Sequence, residues 1–127
     1  MKIGHTTMLL IDAMNLIIDD GIEAAKLDYS KLKDDLKRRG AIQGFEECRG
    51  RTPTEIAVLL EEANESVRRA MRDQAPDYWY WRCREAEIEW VANVISAILH
   101  AQGQPGIVPP TARGMFKAAE IIGVKGQ

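Results

Sequence analysis

The residues best able to do chemistry lie between Glu61 and His100. Arg82, Glu85, Glu89, Asn93, Ser96 and His100 are spaced 3, 4, 4, 3 and 4 residues apart, which sets six side chains along one line of an α-helix. Carboxylates four apart on such a line can hold a hard cation or act as general acid and base, and His100 could add a nitrogen ligand. The plainer reading has the line facing water while Trp81, Ile88, Val91, Ile95 and Ile98 face a core. The Glu-x-x-His pair of di-iron bundles is missing, because Ala97 stands three residues before His100. Just upstream, Tyr78, Trp79, Tyr80 and Trp81 are consecutive aromatics. Successive helical side chains turn by about 100°, so the four cannot all enter one core. Exposed rings beside Arg68, Arg69, Arg72, Arg82 and Arg84 could stack a base or form an interface hot spot. Buried, the same rings would staple the start of their helix. Trp79, Trp81, Arg82, Glu85, Glu89 and Asn93 are therefore the expected ligand or partner site, an aromatic platform, a guanidinium and two carboxylates within about two helical turns.

Two resemblances attach to the same stretch. Glu61-Glu62-Ala63-Asn64-Glu65, followed by Glu85, resembles the E-E-x-x-E and E-x-x-D pattern of the all-α nucleotide pyrophosphatases related to MazG. That resemblance implies a magnesium-dependent nucleotide hydrolase with Glu62, Glu65, Glu85 and Glu89 as metal ligands. The second motif departs from the pattern, since Ile88 and Ala92 stand three residues after Glu85 and Glu89, and Asn93 takes the fourth-ligand place without a charge. The segment from Thr54 to Met71 looks like a helix-turn-helix, which implies Arg68, Arg69 and Arg72 meeting phosphates and base edges. Its turn position holds Glu61 where glycine is usual, and Glu62 follows where an apolar residue is usual. One continuous helix accommodates these residues without placing two acids against DNA.

The elements that carry these residues are legible as helices. Thr52-Pro53-Thr54-Glu55 is a helix start, with reciprocal bonds available between Thr52 and Glu55 and proline where no donor is needed. Ile56, Leu60, Ala63, Val67 and Ala70 then recur as one apolar stripe. Pro76 breaks the pattern, Asp77 is the expected cap of the next helix, and Gly103 ends it. The prediction is an antiparallel helical hairpin over about 53–73 and 77–102.

Residues 6 to 28 make an unusually apolar helix whose polar stripe is only Asp12, Asn15, Asp19, Glu23 and Lys26. Such a helix belongs at the centre or at a subunit interface, and Gly21 leaves both a continuous and a kinked form open. Ser30 reads as the cap of a short helix over residues 31 to 39, stopped by Gly40. Gly40, Gly44 and Gly50 then mark a loop anchored by Phe45. The prolines among residues 104–110 make an extended connector, and Thr111 caps a last helix from Ala112 to about Ile122, stopped at Gly123.

The chain of 127 residues reads as a single helical domain, an all-α bundle of four or five helices. A formal net charge of -2 gives no overall pull toward nucleic acid or anionic lipid, and no run approaches the roughly 20 apolar residues of a membrane span. Cys48 and Cys83 lack C-x-x-C spacing, so they read as reduced, buried thiols and zinc is not expected. The sequence thus points to a small cytoplasmic protein that acts by protein–protein contacts, as subunit, adaptor or regulator. It implies no cofactor, and homodimerisation over the apolar flank of the first helix is its expected first contact.

Overall fold

The computed structural model describes residues 9–126, with side chains through residue 123. Five α-helices follow in order: α1 Leu10–Asp28, α2 Asp35–Cys48, α3 Pro53–Arg72, α4 Tyr78–Ala101 and α5 Ala112–Gly126. A 3-10 turn, Leu32–Asp34, leads into α2. The chain is 80% helical and no strand occurs among the described residues, so the fold is the all-α bundle that the periodicity requires. None of the described helices is long and apolar enough to cross a membrane.

The hairpin forms as its sequence dictates. Thr52 Oγ1 accepts from the Glu55 amide at 3.2 Å while the Glu55 carboxylate accepts from the Thr52 amide at 2.8 Å, the reciprocal box that satisfies two free donors at the start of α3. Ile56, Leu60, Ala63, Val67 and Ala70 are all buried. At the end of α3 the amides of Gln74 and Ala75 donate to Met71 and Ala70, a Schellman closure. Its left-handed position is taken by Gln74, at φ 49°. The end of α4 closes in the same way with Gly103 at φ 75°. Asp77 corrects an expectation. It occupies the N-cap position of α4, but its side chain makes no capping bond.

Helix α4 is central, packed by all four other helices. Ile88, Val91, Ala92, Val94 and Ile95 are wholly inaccessible, as a surrounded helix demands. Around them α1 contributes Met14, Ile17 and Ile18, and α5 contributes Ala118 and Ile121. The apolar circumference of α1 is thereby covered largely within the chain, with Ile11 and Leu27 its exposed large apolar residues.

The region between residues 30 and 51 departs from the sequence reading. The stretch from 32 to 39 is helical as expected, but it does not stop at Gly40, and of the loop expected at 40 to 51 only residues 49–51 lie outside a helix. Helix α2 instead runs through Gly40 and Gly44 to Cys48, and Ser30 lies ahead of the 3-10 turn without capping α2. The reason is tertiary. Gly40 and Gly44 share one face, and a β-carbon on either would overlap the carbonyl oxygen of Tyr80 or Arg84 on α4. Each glycine weakens the helix by about 1 kcal/mol relative to alanine, and the close approach of two helix backbones offsets that loss with dense packing. A similar fit explains why α1 continues through Gly21, against which the buried Phe45 ring of α2 is packed. Phe45 thus anchors one helix on another and holds no loop. Helix α5 also passes the stop expected at Gly123 and reaches Gly126, while residues 6–8, expected in the first helix, lie outside the described residues.

Candidate functional site

The polar line on α4 divides into three parts with different fates. At its start, Arg82 Nη1 lies 2.9 Å from Glu85 Oε1, and burial holds the Glu85 carboxyl above its usual range. In the middle, Glu89 is exposed. Beyond it, Asn93 and Ser96 are buried, which corrects the expectation that the whole line faces water. The connector between α4 and α5 covers them. Ser96 Oγ accepts from the amides of Ile107 and Val108 at 2.9 and 3.1 Å, and Asn93 Oδ1 accepts from the amide and hydroxyl of Thr111 at 2.8 and 3.0 Å. Thr111 Oγ1 in turn accepts from the Gly114 amide at 3.1 Å, capping α5 as expected. Prolines prevent the connector from bonding as a helix, so two α4 side chains supply acceptors for its amides. His100, at the far end, is exposed.

The aromatic run spreads around α4. Trp79 is half-exposed, edge-on to Tyr78, with Lys37 Nζ 4.6 Å from its ring centre. Trp81 is partly buried, edge-on to Tyr80, with the Arg84 guanidinium 5.7 Å away. Of the six residues expected to form one site, Arg82 and Glu85 meet as an ion pair, Glu89 and Asn93 line a common groove, and the two tryptophans face other neighbours.

Three of the four acids proposed as metal ligands meet arginines, and the fourth, Glu89, is exposed. Glu62 binds Arg84 and Glu65 binds Arg68 Nη2 at 2.9 Å, while Glu85 binds Arg82. Among the described residues, no three His, Cys, Asp or Glu side chains converge as a metal site needs. The turn of a helix-turn-helix is likewise not formed, because α3 is unbroken through Glu61 and Glu62. Arg69 and Arg72, like Arg68, are exposed on that one helix.

The strongest charge arrangement involves Arg84, to which the sequence reading assigns no site of its own. Only 5% exposed, it binds Glu47 of α2 at 2.7 and 3.0 Å and Glu62 of α3 at 2.6 Å, tying three helices together. The Glu47 bonds hold the guanidinium firmly charged against the opposing effect of burial. Hydrogen bonding to Arg84 keeps Glu62 below the usual carboxylate range. Burial would raise Glu47, but Arg84 and Gln43 outweigh it and leave its carboxyl lowered. The third guanidinium nitrogen, Arg84 Nη1, is buried with no partner among the described residues. Nearby chemistry is quiet, since burial pushes the Cys48 thiol up to about 12 and also raises Cys83. Both cysteines are free.

A groove of about 760 Å³ lies between α1, α4 and the start of α5. It exists because Gly21, Ala24, Ala86 and Ala112 put almost no side-chain volume into it. Phe45 and Trp90 provide aromatic wall, and Asp28, Glu87, Glu89 and Arg113 bring charge. The Arg113 guanidinium lies 5.6 Å from the Trp90 ring centre. Glu87 is the unusual member. Burial, reinforced by Asp28 and only partly opposed by Arg113, raises its carboxyl to about 7. Its own sequence neighbourhood gives no sign of this, because the surroundings come from three helices. No known family, curated protein or solved structure matches this chain.

Proposed function

We propose that this chain works through contacts with other proteins, as a subunit, adaptor or regulator, and that its first partner is a second copy of itself. One observation carries the reading. The up-and-down course of the chain puts the C-terminal ends of α1 and α3, the 3-10 turn and the start of α4 at the same end of the bundle, where Leu27, Leu32, Met71 and Trp79 are 77, 88, 61 and 50% exposed. Large apolar side chains left exposed at one end of a molecule favour association there, and tryptophan is among the residues most enriched at interface hot spots. Lys37 over the Trp79 ring orients that ring at small entropic cost. Contact chemistry also fits the pairing of Glu62, Glu65 and Glu85 with arginines, which leaves those acids engaged. The proposed setting is the cytoplasm, in keeping with two unpaired, buried thiols.

Sedimentation at micromolar concentrations tests the reading. The wild type is expected as a dimer, and a Leu32→Ser, Trp79→Ser double variant, both changes on exposed side chains, as a folded monomer. A wild type that sediments as a monomer, or a variant that still dimerises, counts against it.

A further inference from the structure

We infer that the groove between α1, α4 and the start of α5 binds an organic cation, a protonated amine on an apolar body, with Glu87 as its counter-ion. Three observations converge on this class of ligand.

The first is space. The groove's volume of about 760 Å³ falls within the roughly 300–1,000 Å³ of small-molecule sites, which combine apolar walls with a few polar groups. Phe45 and Trp90 supply the walls, and the ring faces attract cations as well as apolar carbon.

The second is charge. Asp28, Glu87 and Glu89 face a single guanidinium, Arg113, which is already engaged with the Trp90 ring. A ligand anion would have to enter against three carboxylates. A cation relieves the repulsion between Asp28 and Glu87 and costs only the proximity of Arg113.

The third is the state of Glu87 itself. It is partly buried, and among the described residues no side chain hydrogen-bonds to it or pairs with it, while the other buried acid of α4's surroundings, Glu47, has Arg84. A buried carboxylate without a donor is costly, and an ammonium group supplies up to three donors at that point. The titratable groups facing it are Asp28 and Tyr29 of α1 and its end, Cys83 on its own helix, and Arg113 of α5. Arg113 alone among them is cationic, and it leaves the carboxyl raised. An entering ammonium lowers it, so binding near neutral pH releases a proton.

Calorimetric titration with tryptamine tests this, run near pH 7 in two buffers of different ionisation enthalpy. Indole-3-propionate serves as a control with a similar apolar body and the opposite charge. Tryptamine is expected to bind with release of a fraction of a proton, and indole-3-propionate to bind far more weakly. Glu87→Gln keeps shape and removes the charge, and should weaken tryptamine about ten-fold or more, the loss of one charge-assisted bond, and abolish the proton release. Ala24→Met, on an exposed α1 position lining the groove, should block binding by bulk with Glu87 intact. Absence of tryptamine binding, equal or tighter binding of indole-3-propionate, or a Glu87→Gln variant that binds like the wild type overturns the assignment. Because the readout is ligand binding, its outcome is distinguishable from that of the self-association test.

Discussion

Replacing Glu87 with Gln should make this protein more stable, and the gain should depend on pH in one direction only. Burial raises the Glu87 carboxyl from an ordinary value of 4.5 to about 7. Between those values the folded chain holds a proton that the unfolded chain has lost. Stability therefore falls as pH rises through that window, and the contribution is gone once pH exceeds about 7. Each tenfold change in proton affinity corresponds to about 1.4 kcal/mol, so the full cost of the ionised side chain comes to about 3 kcal/mol. Partial access of water to the groove reduces it to about 2 kcal/mol. Glutamine stays neutral, so the variant avoids that cost. Urea unfolding at pH 8 should show Glu87→Gln about 2 kcal/mol more stable than the wild type, and at pH 5 the two should agree within about 1 kcal/mol. In thermal melts at pH 8 the difference amounts to several degrees, at about 4 °C per kcal/mol for a chain of this size. Comparing the pair cancels the contributions of Glu47 and Glu62, whose lowered carboxyls act oppositely and lose stability as pH falls. A variant that is equal to or less stable than the wild type at pH 8, or a difference that does not shrink at pH 5, would refute the argument that Glu87 is held raised by burial.

Three further substitutions probe the frame around the groove. Arg84→Ala leaves Glu47 and Glu62 without their cation and should cost about 3 kcal/mol, measured by urea unfolding at pH 7; a loss under 1 kcal/mol would mean that water takes the guanidinium's place. Gly44→Ala drives a methyl group into the Arg84 carbonyl and should destabilise by about 2 kcal/mol, although alanine is the better helix former, so a stabilised variant would show that α2 and α4 can separate at little cost. Gln74→Gly relieves a left-handed backbone at the end of α3 and should raise stability by about 0.5–1 kcal/mol in the same assay; no gain would mean that the Gln74 side chain contributes something its exposed position does not reveal.

The hairpin of α3 and α4 is readable because its information is local. Apolar spacing, a capping box and a proline act within one or two turns, and the boundaries fall within a residue of expectation. The course of α2 is not readable, because Gly40 and Gly44 act as helix breakers in isolation and as contact points only when the α4 backbone lies beside them. The site shows the same division. The line from Arg82 to His100 is a true line on the helix, but what covers Asn93 and Ser96 is a connector more than ten residues away in sequence. Arg84 sits among charged neighbours that all read as surface, and only the side of α4 facing Glu47 distinguishes it. Glu87 escapes notice for a related reason: its environment is assembled from α1, α4 and α5, and no pattern along one helix encodes it. Pro53, Thr52 and Thr111 declare their roles in the sequence. Buried charges become visible only in three dimensions.

The attachment of α5 has a consequence for how the molecule opens. Among the other helices α5 makes its main contacts with α4, and its entry is held by bonds from Asn93 and Ser96 to the connector. Gly114 of α5 lies against the Asn93 side chain, but among the described residues no charge group like the Arg84 triad, which secures α2 and α3, fastens α5. Its described ion pair to α1, Lys117 with Asp20 at 3.5 Å, joins an exposed carboxylate and adds little. Packed least against the other helices, α5 and its connector are expected to detach before α1 to α4 unfold, even though Ala118 and Ile121 reach the core, and hydrogen exchange would show them as a separate foldon. Since Thr111, Ala112 and Arg113 form one wall of the groove, each such excursion removes that wall. The two side chains on α4 that fasten the connector therefore set the fraction of time for which the groove is a closed shape.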